Sequence, residues 1–142
     1  MTETGMNQSS LSNADLIQLS LEQCAESLGD PTAPVFARMY ERFPALDHFR
    51  GEDGSWENYM MTEILTNLMQ FAEDPDTALN TIKDMTAHHQ LIGVPLDVFK
   101  GMYQTLFDVL SAEFQGEYRN AMLTAWQSVI GSIHRGIDSA AH

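Results

Sequence analysis

Residues 85–94 read MTAHHQLIGV, and the two adjacent histidines in that stretch decide how the chain is organised. Leu79, Ile82, Met85 and His89 recur at steps of three and four, the spacing of one face of an α-helix. His89 therefore continues an apolar stripe and points inward. His88 is turned about 100° round the helix, toward solvent or the edge of a cofactor. A buried neutral imidazole is costly unless both nitrogens find partners. One nitrogen can donate to the carbonyl of Met85, one turn back. The other is left as an acceptor, and a metal is a natural recipient of its lone pair. Two readings stand side by side: a hydrogen-bonded core histidine, which is the commoner fate, and a metal ligand.

No second His, Cys or carboxylate stands at a ligand spacing such as His-x-x-x-His. The stretch thus offers neither a zinc set nor a di-iron set. The metal reading left open is a cofactor that brings its own equatorial ligands and asks the protein for one axial histidine, which describes haem.

Working outward, helical spacing recurs on both sides, and strand signals are weak throughout. Asn13 can cap a first helix striped by Ile17, Leu21, Cys24 and Leu28, which Gly29 and Asp30-Pro31 stop. The segment TAPVFARMYERF carries Val35, Phe36, Met39 and Tyr40, and Pro44 opens a short turn, PALDHF. After the loop RGEDGS, Ser55 offers an N-cap to a long helix bearing Met61, Ile64, Leu65, Leu68 and Ala72. Asp76 or Thr77 can cap the histidine helix, which Gly93 ends. Pro95 opens a helix through Phe99, Met102, Leu106 and Leu110. A last helix over roughly Glu117–Ile137 bears Met122, Trp126, Val129, Ile130 and Ile133. The expectation is an all-α class of about six or seven helices on short connections, packed ridges into grooves.

The 142 residues fit one domain, with residues 1–12 as a flexible tail and 13–142 as the domain. Seven basic residues against 20 acidic ones give a net charge of -13, which argues against nucleic acid and anionic membrane surfaces as partners. The single cysteine, Cys24, permits no internal disulfide and suits a reducing compartment. The opening MTETGMNQSS lacks the charged and apolar regions of a signal peptide, and no apolar run spans a bilayer, so a cytoplasmic location is expected. The acidic residues Glu52, Asp53, Glu73, Asp74 and Asp76 fall in expected loops and read as solvated; no EF-hand loop is present.

In its order of parts the chain resembles the globin family, in its single-domain bacterial, three-over-three form, over roughly Ala14–Ile137. The stretch VFARMYERFPALDHF looks like the globin segment of an aromatic helix, a Pro-led turn and a closing Phe. HQLIGV looks like the bacterial globin stretch in which Gly-Val follows the proximal His by four residues, which selects His89 over His88. AMLTAWQSVIGSI looks like the start of the final globin helix.

The resemblance implies a globin-like fold of six to eight helices enclosing haem b, with His89 as the metal ligand. It places Phe49 against the haem face, one residue short of the usual Pro-to-Phe spacing, and Phe36 over the distal side. Counted back from His89, Glu57 takes the distal polar position and Met61 the apolar position one turn on; a one-residue slip substitutes Asn58. Met61, Leu65 and Leu68 keep the register. Met85 supplies the carbonyl to the proximal imidazole, and Val94 and Phe99 touch the proximal side. Leu68, Met102 and Trp126 read as plain core.

The chain also departs from that pattern. The distal position lacks a His or Gln, and an ionised Glu57 can only accept hydrogen bonds. Asn58 or Tyr40 is left as a donor, and Met60 or Met61 as a soft sixth ligand. Phe99 and Ile130 stand where flavohaemoglobin-like relatives place tyrosines, so the push that favours O–O cleavage is missing. His48, Arg50 or Lys83 could meet a propionate. The function so implied is reversible binding of a diatomic gas (O2, NO or CO) at haem. One alternative is nitric oxide dioxygenation or weak peroxidase activity, dependent on an external reductase. Another is a globin-fold sensor or interaction module, with or without haem.

Overall fold

A computed structural model describes residues 11–50 and 53–140. Among these residues are six α-helices and one 3-10 turn: α1 Asn13–Ser27, α2 Thr32–Arg42, the turn Pro44–Phe49, α3 Ser55–Glu73, α4 Pro75–Leu91, α5 Leu96–Ser111 and α6 Arg119–Ala140. No strand occurs among the described residues, in agreement with the all-α expectation. None of these helices is long and apolar enough to cross a membrane.

The helices start where backbone donors find side-chain oxygens, and several starts differ from expectation by a residue or two. Of the expected tail, residues 1–10 lie outside the described residues. Ser12 already caps α1, in place of Asn13. Its hydroxyl accepts from Asp15 N at 3.0 Å while Asp15 Oδ2 accepts from Ser12 N at 3.3 Å, a reciprocal capping box. Helix α3 begins at Ser55, but Ser55 does not cap it: its N–H and hydroxyl both donate to Asp53 Oδ1. Helix α4 is capped by Asp74, ahead of the expected Asp76 or Thr77, because Pro75 sits at the first helical position, where no N–H is needed. The last helix begins at Arg119 and runs on to Ala140.

Helix α6 is the central element, packed on α1, α3, α4 and α5; α2 lies on α5, on α3 and on the 3-10 turn. Two close approaches rest on glycine. A Cβ on Gly101 would stand 2.6 Å from the Phe43 ring, so that ring, at the end of α2, packs directly on the α5 backbone. At Gly136, α6 comes within reach of Leu79 and Ile82 of α4. The core is apolar except for a few polar groups, most of them hydrogen-bonded. The Trp126 indole N–H donates to Ser20 Oγ at 2.7 Å, and that hydroxyl donates to the Ile17 carbonyl. Tyr103 donates to Asn67 Oδ1 at 2.9 Å, while Asn67 Nδ2 is buried without a partner. Burial pushes the Tyr103 hydroxyl well above its usual range and, with help from Glu113, pushes the Cys24 thiol up to about 11.

Four segments converge at one end of the molecule: the 3-10 turn, the start of α3, the end of α4 and the start of α5. The candidate site lies there.

Candidate functional site

The buried line of α4 is Ala78, Ile82, Thr86 and His89, with Leu79 and Met85 half-buried beside it. His89 is 6% exposed and His88 lies on the solvent side. The way α4 ends accounts for the His-x-x-x-Gly-Val spacing. Gly93 N donates to the Gln90 carbonyl at 3.1 Å and Val94 N to the His89 carbonyl at 2.9 Å. Gly93 has a φ of +87°, which an L side chain adopts only with strain. This is a Schellman ending, in which the residue after the glycine folds back onto the last turn of the helix. His89 therefore occupies the last turn, and Val94 is returned to its side.

Two contacts orient the imidazole. Nδ1 lies 2.7 Å from the Met85 carbonyl, one turn back, as expected from the spacing; since a carbonyl only accepts, Nδ1 carries the proton. The ring also lies face to face with Phe99 of α5, with centroids 4.3 Å apart and planes 14° apart. Phe99 in turn meets Tyr103 edge-on at 5.9 Å. Nε2, the nitrogen farther from the backbone, makes no hydrogen bond among the described residues.

His89 lines a small cavity of about 30 Å³ together with Leu46, Phe49, Trp56, Met60, Ile92, Val94, Val98, Phe99 and Met102. The walls are apolar apart from the imidazole and the Trp56 indole. A cleft of about 400 Å³ adjoins it, bounded by Ala45, His48, Gly93 and Pro95 and sharing Leu46, Phe49 and Val98 with the cavity. The 3-10 turn, which gives Leu46 and Phe49 to both, is held mainly by α2.

The structure thus gathers His89, Phe49, Val94 and Phe99 around one space, with the Met85 carbonyl on its helix side. The other expected residues lie elsewhere. Glu57 is 9% exposed but faces α2: Tyr40 donates to its Oε2 at 2.8 Å, and Arg50 Nε is 3.8 Å away. Its Oε1 is buried without a partner. Burial, then that carboxylate, pushes the Tyr40 hydroxyl well above its usual range, and the Arg50 guanidinium lies 4.6 Å over the Tyr40 ring. Phe36, Tyr40, Arg50, Glu57 and Asn58 line a separate cleft of about 400 Å³. Met61 is buried in the core, and Leu65 borders a groove with Leu21, Cys24 and Leu110. The α3 wall of the His89 cavity is instead Trp56 and Met60, each one residue before the pair counted from sequence. Trp56 was not singled out in the sequence; its edge contact with Phe36, at 5.5 Å, turns it inward. His48 borders the outer cleft, Lys83 is exposed, and Glu52 lies outside the described residues.

Among the described residues no three His, Cys, Asp or Glu side chains cluster to hold a bare metal ion. The site can offer one nitrogen lone pair, within apolar walls, to a centre that brings its other ligands. A comparison with models of known protein families and with curated proteins found no match for this chain.

Proposed function

We propose that this chain is a haem protein with a globin-like arrangement of helices, in which His89 Nε2 is the axial ligand to the iron of haem b. The observation that carries this reading is the state of His89. Its Nδ1–H is committed to the Met85 carbonyl, its ring is flattened against Phe99, and Nε2 is without a partner at an apolar cavity. A carbonyl acceptor on the other ring nitrogen, here Nδ1, is the usual way a protein fixes the tautomer of a ligating histidine. The neighbouring chemistry fits a flat apolar cofactor: Phe49, Val94, Val98 and Phe99 to contact the ring, and His48 at the rim toward its acidic edge.

Room is the stricter test. A space of about 30 Å³ holds little more than water, whereas cofactor sites span roughly 300–1,000 Å³. Joined to the adjoining cleft, with which it shares Leu46, Phe49 and Val98, the cavity reaches the low end of that range, so haem binding requires the two spaces to open into one. Haem, when held by His89, would supply an iron site for a diatomic gas. The chain holds it, sets the imidazole and limits water. With Phe99 stacked on the ring and the Met85 carbonyl its one hydrogen-bond partner among the described residues, the imidazole receives no push beyond a backbone carbonyl, which favours ligand binding over O–O cleavage. Turnover of nitric oxide would call on an external reductase.

The closed cavity favours a second reading, a haem-free module of the same fold. Titrating the purified protein with hemin separates the two. The haem reading expects one equivalent bound with a sharp Soret band, a CO complex after reduction, and loss of both in His89→Ala but not in His88→Ala. Failure to take up hemin, or unchanged binding by His89→Ala, overturns it.

A further inference from the structure

The pin between α2 and α3 determines which residues of α3 face His89. Glu57 is drawn to Tyr40 and Arg50, and Met61, one turn on, follows it into the core. Residues one position earlier are turned by about 100°. Those residues are Trp56 and Met60, and both line the cavity with His89. The α3 wall therefore presents the Met60 thioether and the Trp56 indole, in place of Glu57 and Met61. Met60 and His89 border the same cavity from different helices, so a group held there by His89 has Met60 among its neighbours. Met60 is half-buried, unbranched and without a hydrogen bond, and three rotatable bonds let its sulfur reach. Thioether sulfur is a soft ligand that suits haem iron, and His/Met ligation raises its potential.

On the reading of His89 given above, we infer that Met60 Sδ is the second axial ligand, so the resting haem is six-coordinate with His89 and Met60. Met102, also on the cavity, belongs to α5 beside Phe99 and so to the proximal wall. A diatomic gas then binds only in competition with Met60.

The test is the coordination state of the hemin-loaded protein, read by absorption and by electron paramagnetic resonance with no added ligand. The expected result is a low-spin spectrum with a sulfur-to-iron charge-transfer band in the ferric protein. That band shifts when the methionines are replaced by selenomethionine, a readout on the unmutated chain. Met60→Leu should lose the low-spin signal and the band, bind CO faster after reduction, and show a lower potential. Met61→Leu should keep both signals. A high-spin, five-coordinate unmutated protein overturns the inference and leaves the haem reading intact, as does a low-spin signal that survives in Met60→Leu. No hemin uptake overturns both.

Discussion

The imidazole of His89 and the ring of Phe99 lie nearly parallel, 4.3 Å between centroids, although they belong to different helices. The stack joins the end of α4 to the start of α5 and holds the one buried histidine of α4 in a single orientation. The aromatic face shields what lies over it, so the His89 ring protons should resonate upfield of those of exposed His88 in the haem-free protein. Phe99→Leu should abolish that displacement and cost about 1.5 kcal/mol of stability, since volume is nearly conserved but the flat contact is lost. Side-chain NMR and denaturant unfolding check both halves. An unshifted His89 in the parent protein would mean that the stack is not formed.

A second long-range tie is polar. Trp126 of α6 and Ser20 of α1 are 106 positions apart, and their hydrogen bond is buried. Ser20→Ala strands the indole N–H in the core, a desolvation loss of about 1–3 kcal/mol. At this chain size each kcal/mol lowers Tm by roughly 2–8 °C. Calorimetry should therefore show a clear drop. Ser20→Cys, a weaker acceptor of similar size, should fall between the two.

These two ties show what sequence patterns could and could not expose. The helices were legible because apolar residues recur at helical steps, and His89 was legible because its stripe and the Gly-Val that follows are local. The Schellman ending makes that short spacing a physical one: Gly93 is the residue that takes the positive φ, and Val94 is returned to His89. The wall opposite was not legible. Whether Glu57 and Met61 or Trp56 and Met60 face the cavity is a rotation of about 100° about α3. It depends on a hydrogen bond from Tyr40, 17 positions away. Leu65 keeps the apolar spacing yet belongs to another groove, because an amphipathic face says what is buried and not against what. Cap choice failed locally for a similar reason: Ser12 and Asn13, or Asp74 and Asp76, are both competent, and the competition is settled by which carboxylate or hydroxyl reaches an N–H.

The approach of α5 to Phe43 gives a steric prediction. A methyl at Gly101 would overlap Phe43 Cε2 and Cζ at 2.6 Å. Gly101→Ala should therefore destabilise by about 1–3 kcal/mol, although alanine is the better helix former. The cause is tested by pairing it with Phe43→Leu, which clears the ring. If the clash is responsible, the double variant loses less than the sum of the two single losses in urea unfolding. Strict additivity would place the effect elsewhere.

His134 gives the chain a pH dependence with a definite sign. Its Nε2 donates to the Lys100 carbonyl at 3.0 Å, which favours the protonated ring, but burial outweighs that bond and, with the Lys100 charge, holds the imidazole below its ordinary value. Asp138 pulls the other way but is tied to Lys100 Nζ at 2.8 Å. The folded chain therefore binds a proton less readily here than the unfolded chain, whose histidine titrates near about 6.5. The stabilisation is fully present above that value and is lost as pH falls through the lower folded value. His134→Gln keeps a donor for the carbonyl and removes the titration. Unfolding free energies measured from pH 7.5 down to 5 should fall more steeply for the parent than for His134→Gln, the two curves drawing together toward the acid end. Parallel curves across that interval would show that His134 is not held neutral by the fold.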